Sequence, residues 1–181
     1  MIQIQTPRLI LREFCPDDDE QMFLLNSDPD VIRYTGDSAY PSVEEARKSL
    51  IHYDQYKKYK RGRLAMIERN TNEFLGWCGL KYLSDTDETD LGFRLHKKFW
   101  NKGYASEAGQ ACLEYGFYTL DLPVIIAHAM NENKASIHVL KKLGMKFLRD
   151  FDFDGNKGVF MQISKEDFIV ISLKNESRAQ Y

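Results

Sequence analysis

The stretch DLGFRLHKKFWNKGYASEA, residues 90–108, decides the reading of this chain. Over 90–95, Leu91, Phe93 and Leu95 alternate with Asp90, Gly92 and Arg94, a period of two that makes a strand with one apolar face and one polar face. From Tyr104 onward the period changes. Ala105, Ala108, Ala111, Cys112, Tyr115 and Thr119 recur at helical spacing, so 104–119 is predicted to be an amphipathic helix, reached through the loop HKKFWNKGY. The apolar run PVIIAHAM (123–130) follows as another strand. Two strands flanking a helix are expected to lie parallel, joined by a right-handed crossover.

Upstream of this unit, strand-like runs at 63–69, 73–82 and 89–95 are separated by turns at Asn70–Asn72 and Ser84–Glu88, which reads as an antiparallel meander. PRLILREF (7–14) alternates as a first strand, and Pro16 with the acidic run Asp17, Asp18, Asp19 and Glu20 starts a helix whose dipole favours those charges. Ser42 and Glu45 have capping-box spacing, and the helix behind them is expected to continue to about Lys60. Downstream come a helix from about Lys134 to Leu143, ended by Gly144, and two strands meeting around Asp154 and Gly155. The predicted order is β, α, α, three β, α, β, α, β, β, in one α/β domain spanning 1–181.

Composition limits the functional classes. With 181 residues, 43% hydrophobic and 29% charged, the chain has material for one full core. Its 25 basic and 27 acidic residues give a net charge of −2, with no global field to attract nucleic acid or an anionic membrane. No stretch approaches the roughly 18 apolar residues of a membrane span, and the start MIQIQTPRLILREF has no basic-then-apolar pattern, so a cytoplasmic protein is expected. Cys15, Cys78 and Cys112 are widely spaced and form no metal-binding motif, so no metal site is expected and each thiol reads as a buried hydrophobe.

A helix that begins after a strand has unpaired N–H groups and a positive dipole end, which together attract anions. The loop adds Lys97, Lys98 and Lys102, and Gly103 at the turn allows backbone amides to approach a phosphate closely. The spacing is neither GxxxxGK[ST] nor GxGxxG, so NTP-hydrolysing P-loops and dinucleotide folds find no support.

Residues 90–108, together with NENKASIHVLKKLGM (131–145) and the opening TPRLILREF, resemble the GNAT superfamily of acetyl-CoA-dependent N-acetyltransferases, and within it the RimJ/RimL-type branch of ribosomal-protein N-terminal acetyltransferases. The resemblance implies a mixed, mostly antiparallel central sheet of about seven strands with helices on both faces. It implies acetyl-CoA as cosubstrate, with Lys102, Gly103, Tyr104, Ala105 and Ser106 presenting amides to the pyrophosphate and Leu95, His96 and Lys97 running beside the pantetheine arm. Trp100 matches a residue common in that branch. Asn133 matches an Asn that holds the pantetheine, and Ser136 a Ser near the thioester sulfur; a helix N-cap is the structural alternative for both.

Acetyl transfer to an amine requires a neutral amine, so a proton acceptor is needed. Asp90, on the polar face of its strand, stands where the branch usually has Glu; a salt bridge to Arg94 is the structural alternative. Asp150, Asp152 and Asp154 make one face of the hairpin strand acidic, either to receive a cationic amine or to protect an edge strand. Many superfamily members place a Tyr acid where this chain has Leu140, so Ser136 is the nearest substitute. Backbone N–H groups from Gly92 to His96 are expected to polarise the thioester carbonyl.

The expected activity is acetyl transfer to a primary amine, whether a protein N-terminus or a small molecule, by a monomer or homodimer. A non-catalytic CoA-binding sensor and a nucleotide-phosphate binder are the alternatives. Residues 16–40 hold seven acids and one base and 46–63 seven bases and one acid, so the helices expected to line the acceptor cleft differ in sign.

Overall fold

A computed structural model describes residues 1–153 and 155–179. The chain runs β1 (Gln3–Gln5), β2 (Leu9–Arg12), α1 (Asp19–Ser27), α2 (Pro29–Ile32), α3 (Val43–Ile51), α4 (Gln55–Tyr59), β3 (Arg63–Glu68), β4 (Phe74–Leu83), β5 (Glu88–Leu95), α5 (Tyr104–Glu114), β6 (Val124–Met130), α6 (Lys134–Lys142), β7 (Lys146–Phe153), β8 (Asn156–Ser164) and α7 (Lys165–Ala179). A single sheet takes the order β1-β2-β3-β4-β5-β6-β8-β7. Every neighbouring pair is antiparallel except β5 and β6, which run parallel. The mixed, mostly antiparallel sheet is as expected, with eight strands rather than about seven.

The additional strand is β1, which has only three residues and pairs Ile4 with Leu11. Helix α7 was also not anticipated; Ser164 Oγ accepts from Asp167 N–H (3.1 Å), and Phe168 is fully buried with its ring 5.0 Å from Phe117. The helix expected to reach Lys60 is divided into α3 and α4. The break suits the tyrosines around it: Tyr53 OH accepts from Arg63 N–H (2.7 Å), while Tyr56 OH accepts from Phe14 N–H (3.1 Å) and donates to Arg63 O. The winding over 104–119 changes from α to π at Tyr115, without interrupting the predicted helical stretch.

Helices cover both faces of the sheet, and β3 shows how. Its Leu64 and Met66 enter one apolar cluster with residues of α5, Phe117 and Phe168, while Ala65 and Ile67 enter another with Met22, Leu25, Ala46 and Leu50 of α1 and α3. Asp19 and Arg47 join the oppositely charged helical segments at 2.9 Å.

The sheet is whole on both sides of one seam. β5 pairs with β4 from Glu88 to Leu95, and β6 with β8 from Val124 to Met130, yet β5 and β6 share only the registered pair Asp90↔Ile126 among the described residues. Beyond Asp90 the two strands diverge.

Candidate active site

The divergence opens a cleft of about 670 Å³, walled by α1, α3 and the segment between α2 and α3, floored by β3 to β5, and closed by β6, α6 and β7. Asp90, Gly92 and Arg94 face into it, whereas Leu91 and Leu95 point into the core of the opposite face, as the alternation of β5 requires.

Asp90 is bound from two sides. Arg63 donates Nη2 to its carboxylate and Nη1 to its carbonyl oxygen (2.8 Å), while His128 Nδ1 lies 3.3 Å from Oδ1. The partner is Arg63 on β3 and not Arg94; residues four apart on a strand stand about 13 Å from one another. Arg63 reaches across β4 because Gly92 leaves room: a Cβ there would stand 2.7 Å from Cζ of Arg63. Burial alone would raise the Asp90 pKa, but the Arg63 charge and the bonds from His128 and Arg63 outweigh it and hold the group below its ordinary value. Asp90 is therefore a carboxylate at neutral pH and a weak base.

His128 is the residue that sequence reading passed over, because it sits in a run that reads as a plain buried strand. Its ring packs against Phe151 (4.2 Å) and edge-on to Phe160 (4.8 Å), and it lines the cleft. With Nδ1 turned to a carboxylate, the bond fixes tautomer and orientation and leaves Nε2 as the proton-accepting nitrogen.

At the far end of β5 the loop is shaped by side chains. Trp100 Nε1 donates to Leu95 O (2.8 Å), and His96 N–H to Leu75 O (3.0 Å). Gly103 has φ +81, a conformation open to glycine, and its carbonyl accepts the α5 bond from Glu107 N–H (3.1 Å), leaving Tyr104, Ala105 and Ser106 N–H groups as the open end of the helix. Of the lysines expected there, Lys97 is paired with Asp30 and Lys98 with Glu73, while Lys102 Nζ lies over the Phe99 ring. Arg8 supplies a further cation: Nη1 donates to Lys102 O (2.9 Å), the guanidinium stacks 4.4 Å from the Tyr104 ring, and Glu107 accepts from its Nε (2.6 Å) and from Thr6 Oγ1 (2.6 Å). Arg8 lies within the quoted TPRLILREF, where it had no assigned role.

Asn133 is the N-cap of α6, its Oδ1 accepting from Ser136 N–H (3.1 Å). Both residues line the cleft, as does the buried Leu140. β7 is one of the two edge strands of the sheet, with Asp150 and Asp152 exposed. Asp152 lines the cleft and accepts from Gly155 N–H (2.6 Å); Asp154 lies outside the described residues. Cys78 and Cys112 are buried with their sulfurs 3.8 Å apart, and contact with Cys78 together with burial pushes the Cys112 thiol well up. Among the described residues no cluster of His, Cys, Asp or Glu is arranged to hold a metal ion, and no helix is long and apolar enough to cross a membrane.

The sheet splits beside a strand-to-helix loop, and a polar cleft lies at the split. The acetyltransferase (GNAT) domain profile matches residues 8–146. The uncharacterized N-acetyltransferase p20 of Bacillus licheniformis is 31% identical over 157 residues, 84% of this chain and 88% of that protein. A GNAT-family acetyltransferase from Bacillus anthracis superposes with a TM-score of 0.79 at 29% identity, over 91% of this chain and 99% of that one. The ribosomal-protein-S5-alanine acetyltransferase of Vibrio fischeri shares the fold (TM-score 0.77 over 93% and 99% of the two chains) at 14% identity. The chain belongs to the GNAT acetyltransferase family and is an N-acetyltransferase.

Proposed function

We propose that the enzyme moves an acetyl group from acetyl-CoA to a primary amine by direct attack within the cleft. The observation that carries this reading is the unpaired edge of β5, which leads from the open end of α5 to the Asp90–His128 pair. When bound, acetyl-CoA supplies an activated thioester: the C–N bond forms, the C–S bond breaks, and the amine gives up a proton.

The chain's own groups fit that cosubstrate. Lys102 and the amides of Gly103, Tyr104, Ala105 and Ser106 would hold the pyrophosphate, and Leu95, His96 and Lys97 would border the pantetheine arm. Asn133 has its Oδ1 committed to the cap, so its amide Nδ2 is the group that holds the arm. The amine proton passes to His128 Nε2 while Asp90, held by Arg63, orients the ring. Ser136 hydrogen-bonds the leaving sulfur, and backbone N–H groups near Gly92 polarise the carbonyl. Asp152 at the mouth attracts a cationic amine. Three unpaired cysteines support a reducing, cytoplasmic setting, and Trp100 clamping the end of β5 supports placement beside the RimJ/RimL-type enzymes.

Two measurements test the cosubstrate half. Gly103→Asp sets a Cβ and a negative charge against the phosphates, and CoA affinity by calorimetry is expected to fall tenfold or more, about 1.4 kcal/mol; unchanged affinity in a folded variant would place the site elsewhere. Ser136→Ala is expected to reduce kcat more than CoA affinity. A change confined to thermal stability would leave Ser136 as part of the helix start alone.

A further inference from the structure

Arg94 is the cleft residue that the transfer mechanism leaves unused. Its side chain is only 8% exposed, and its guanidinium stacks 5.1 Å from the Trp77 ring. Nη1 donates to Asn26 Oδ1 in α1, Nη2 to Asp37 Oδ2 (2.6 Å), and Nε is buried with no partner. Arg63, the other cation over Trp77, spends both terminal nitrogens on Gly79 O and on the carbonyl and carboxylate of Asp90.

This arrangement is lopsided. A carboxylate lying side-on to a guanidinium bonds Nε and Nη2 together, and that bidentate geometry is the stronger one. Asp37 takes Nη2 alone. Its side chain is 57% exposed and belongs to the irregular segment between α2 and α3, whereas Arg94 is fixed on a central strand. A buried donor left open beside a displaceable acid is what a site for a second, better-fitting carboxylate requires. Asn26, which Arg94 contacts, is neutral and polar, and on the helical wall the cleft is also lined by Tyr34, Thr35 and Tyr40. Toward the other end of β5 stands Asp90 with its partner His128, Asp90 being about 13 Å along the strand from Arg94. One end therefore suits an amine and the other an anion.

Resting on the acetyl-transfer reading, we propose that the acceptor is a small molecule bearing both a primary amine and a carboxylate. Arg94 binds the carboxylate through Nη2 and Nε in place of Asp37, and the amine then points toward His128.

The test uses matched acceptors: amino acids with α- to ω-spaced amines and the corresponding carboxamides, each assayed for thiol release with acetyl-CoA and for binding by calorimetry. For the best-spaced pair, kcat/KM of the acid is expected to exceed that of the amide by at least about tenfold. Arg94→Gln should erase that ratio. Asp37→Asn should lower KM for the acid several-fold and leave the amide unchanged. An acid-to-amide ratio of one or below in the wild type overturns the proposal, as does a ratio preserved in Arg94→Gln. Should Arg94→Gln not fold, Asp37→Asn decides, since an unchanged or raised KM for the acid is contrary to displacement. Turnover of amides, polyamines or peptide N-termini without preference for the acids overturns this proposal and keeps the acetyl-transfer reading. Absence of thiol release with every amine sinks that reading, and calorimetry on the matched pairs then still settles whether Arg94 selects carboxylates.

Discussion

Replacing His128 with Gln is expected to lower kcat by about 10²- to 10⁴-fold, the range that general-base catalysis supplies, with little change in CoA affinity or in stability. The ring makes one bond to Asp90 through Nδ1 and packs on Phe151 and Phe160; Gln keeps much of that volume, with its amide near the place of Nε2. What it lacks is a nitrogen that accepts a proton. The charged groups near the imidazole are Asp90 on β5 and, behind it, Arg63 on β3; β7 and β8 present Phe151 and Phe160, with the Arg149 guanidinium on the Phe160 ring. In the variant activity should recover partly at alkaline pH, where solvent itself supplies neutral amine, so its profile should rise more steeply than that of the wild type. Parallel pH–rate profiles for the two proteins would remove His128 from proton transfer and return the role to Asp90 or Asp152.

Asp90→Asn should have its largest effect on stability. Removing one member of a buried ion pair costs about 3–5 kcal/mol, because the charge left behind is uncompensated, and here that charge is Arg63, 15% exposed. The Asp90 pKa is held down in the folded protein: burial opposes this, but the charge of Arg63 and the bonds from His128 and Arg63 prevail. Its contribution is thus present above the ordinary carboxylate range and is lost as pH falls through the depressed folded value. Urea unfolding should show a large drop for Asp90→Asn at neutral pH and a smaller difference from wild type in acid. Arg63→Met added to Asp90→Asn should restore part of the loss. Equal stability of wild type and Asp90→Asn at pH 7 would mean that the pair contributes nothing net. Rates for this variant have meaning only where it is folded.

Much of the architecture was legible because it follows from periodicity. The switch from period two at 90–95 to helical spacing at 104–119 placed the parallel unit, and alternation put Asp90 and Arg94 on the face that lines the cleft. β1 was not legible because three residues carry no period, and the break between α3 and α4 depends on tyrosine hydroxyls meeting β3, a contact that no local pattern encodes. The site divides in the same way. The loop and the helix start at Gly103 follow one another in sequence, so their conformation is locally encoded, whereas the Asp90 cluster is assembled from three strands. Arg63 reaches Asp90 across 27 positions and His128 across 38. The lysines show the converse: the loop is rich in them, yet Asp30 and Glu73, far away in sequence, engage two.

The seam at Asp90 and Ile126 also has a mechanical consequence. Backbone ladders are directional and resist bending, whereas apolar contacts tolerate small rotations. The strands β1 to β5 form one stiff plate and β6 to β8 another, and beyond the single registered pair they adhere through side chains such as Leu80, Phe117 and Ile125. The angle between the plates is then held less firmly than the strand order within either plate. A long ligand seated along the gap would act as a splint, stiffening both plates at once and making their local openings rarer together.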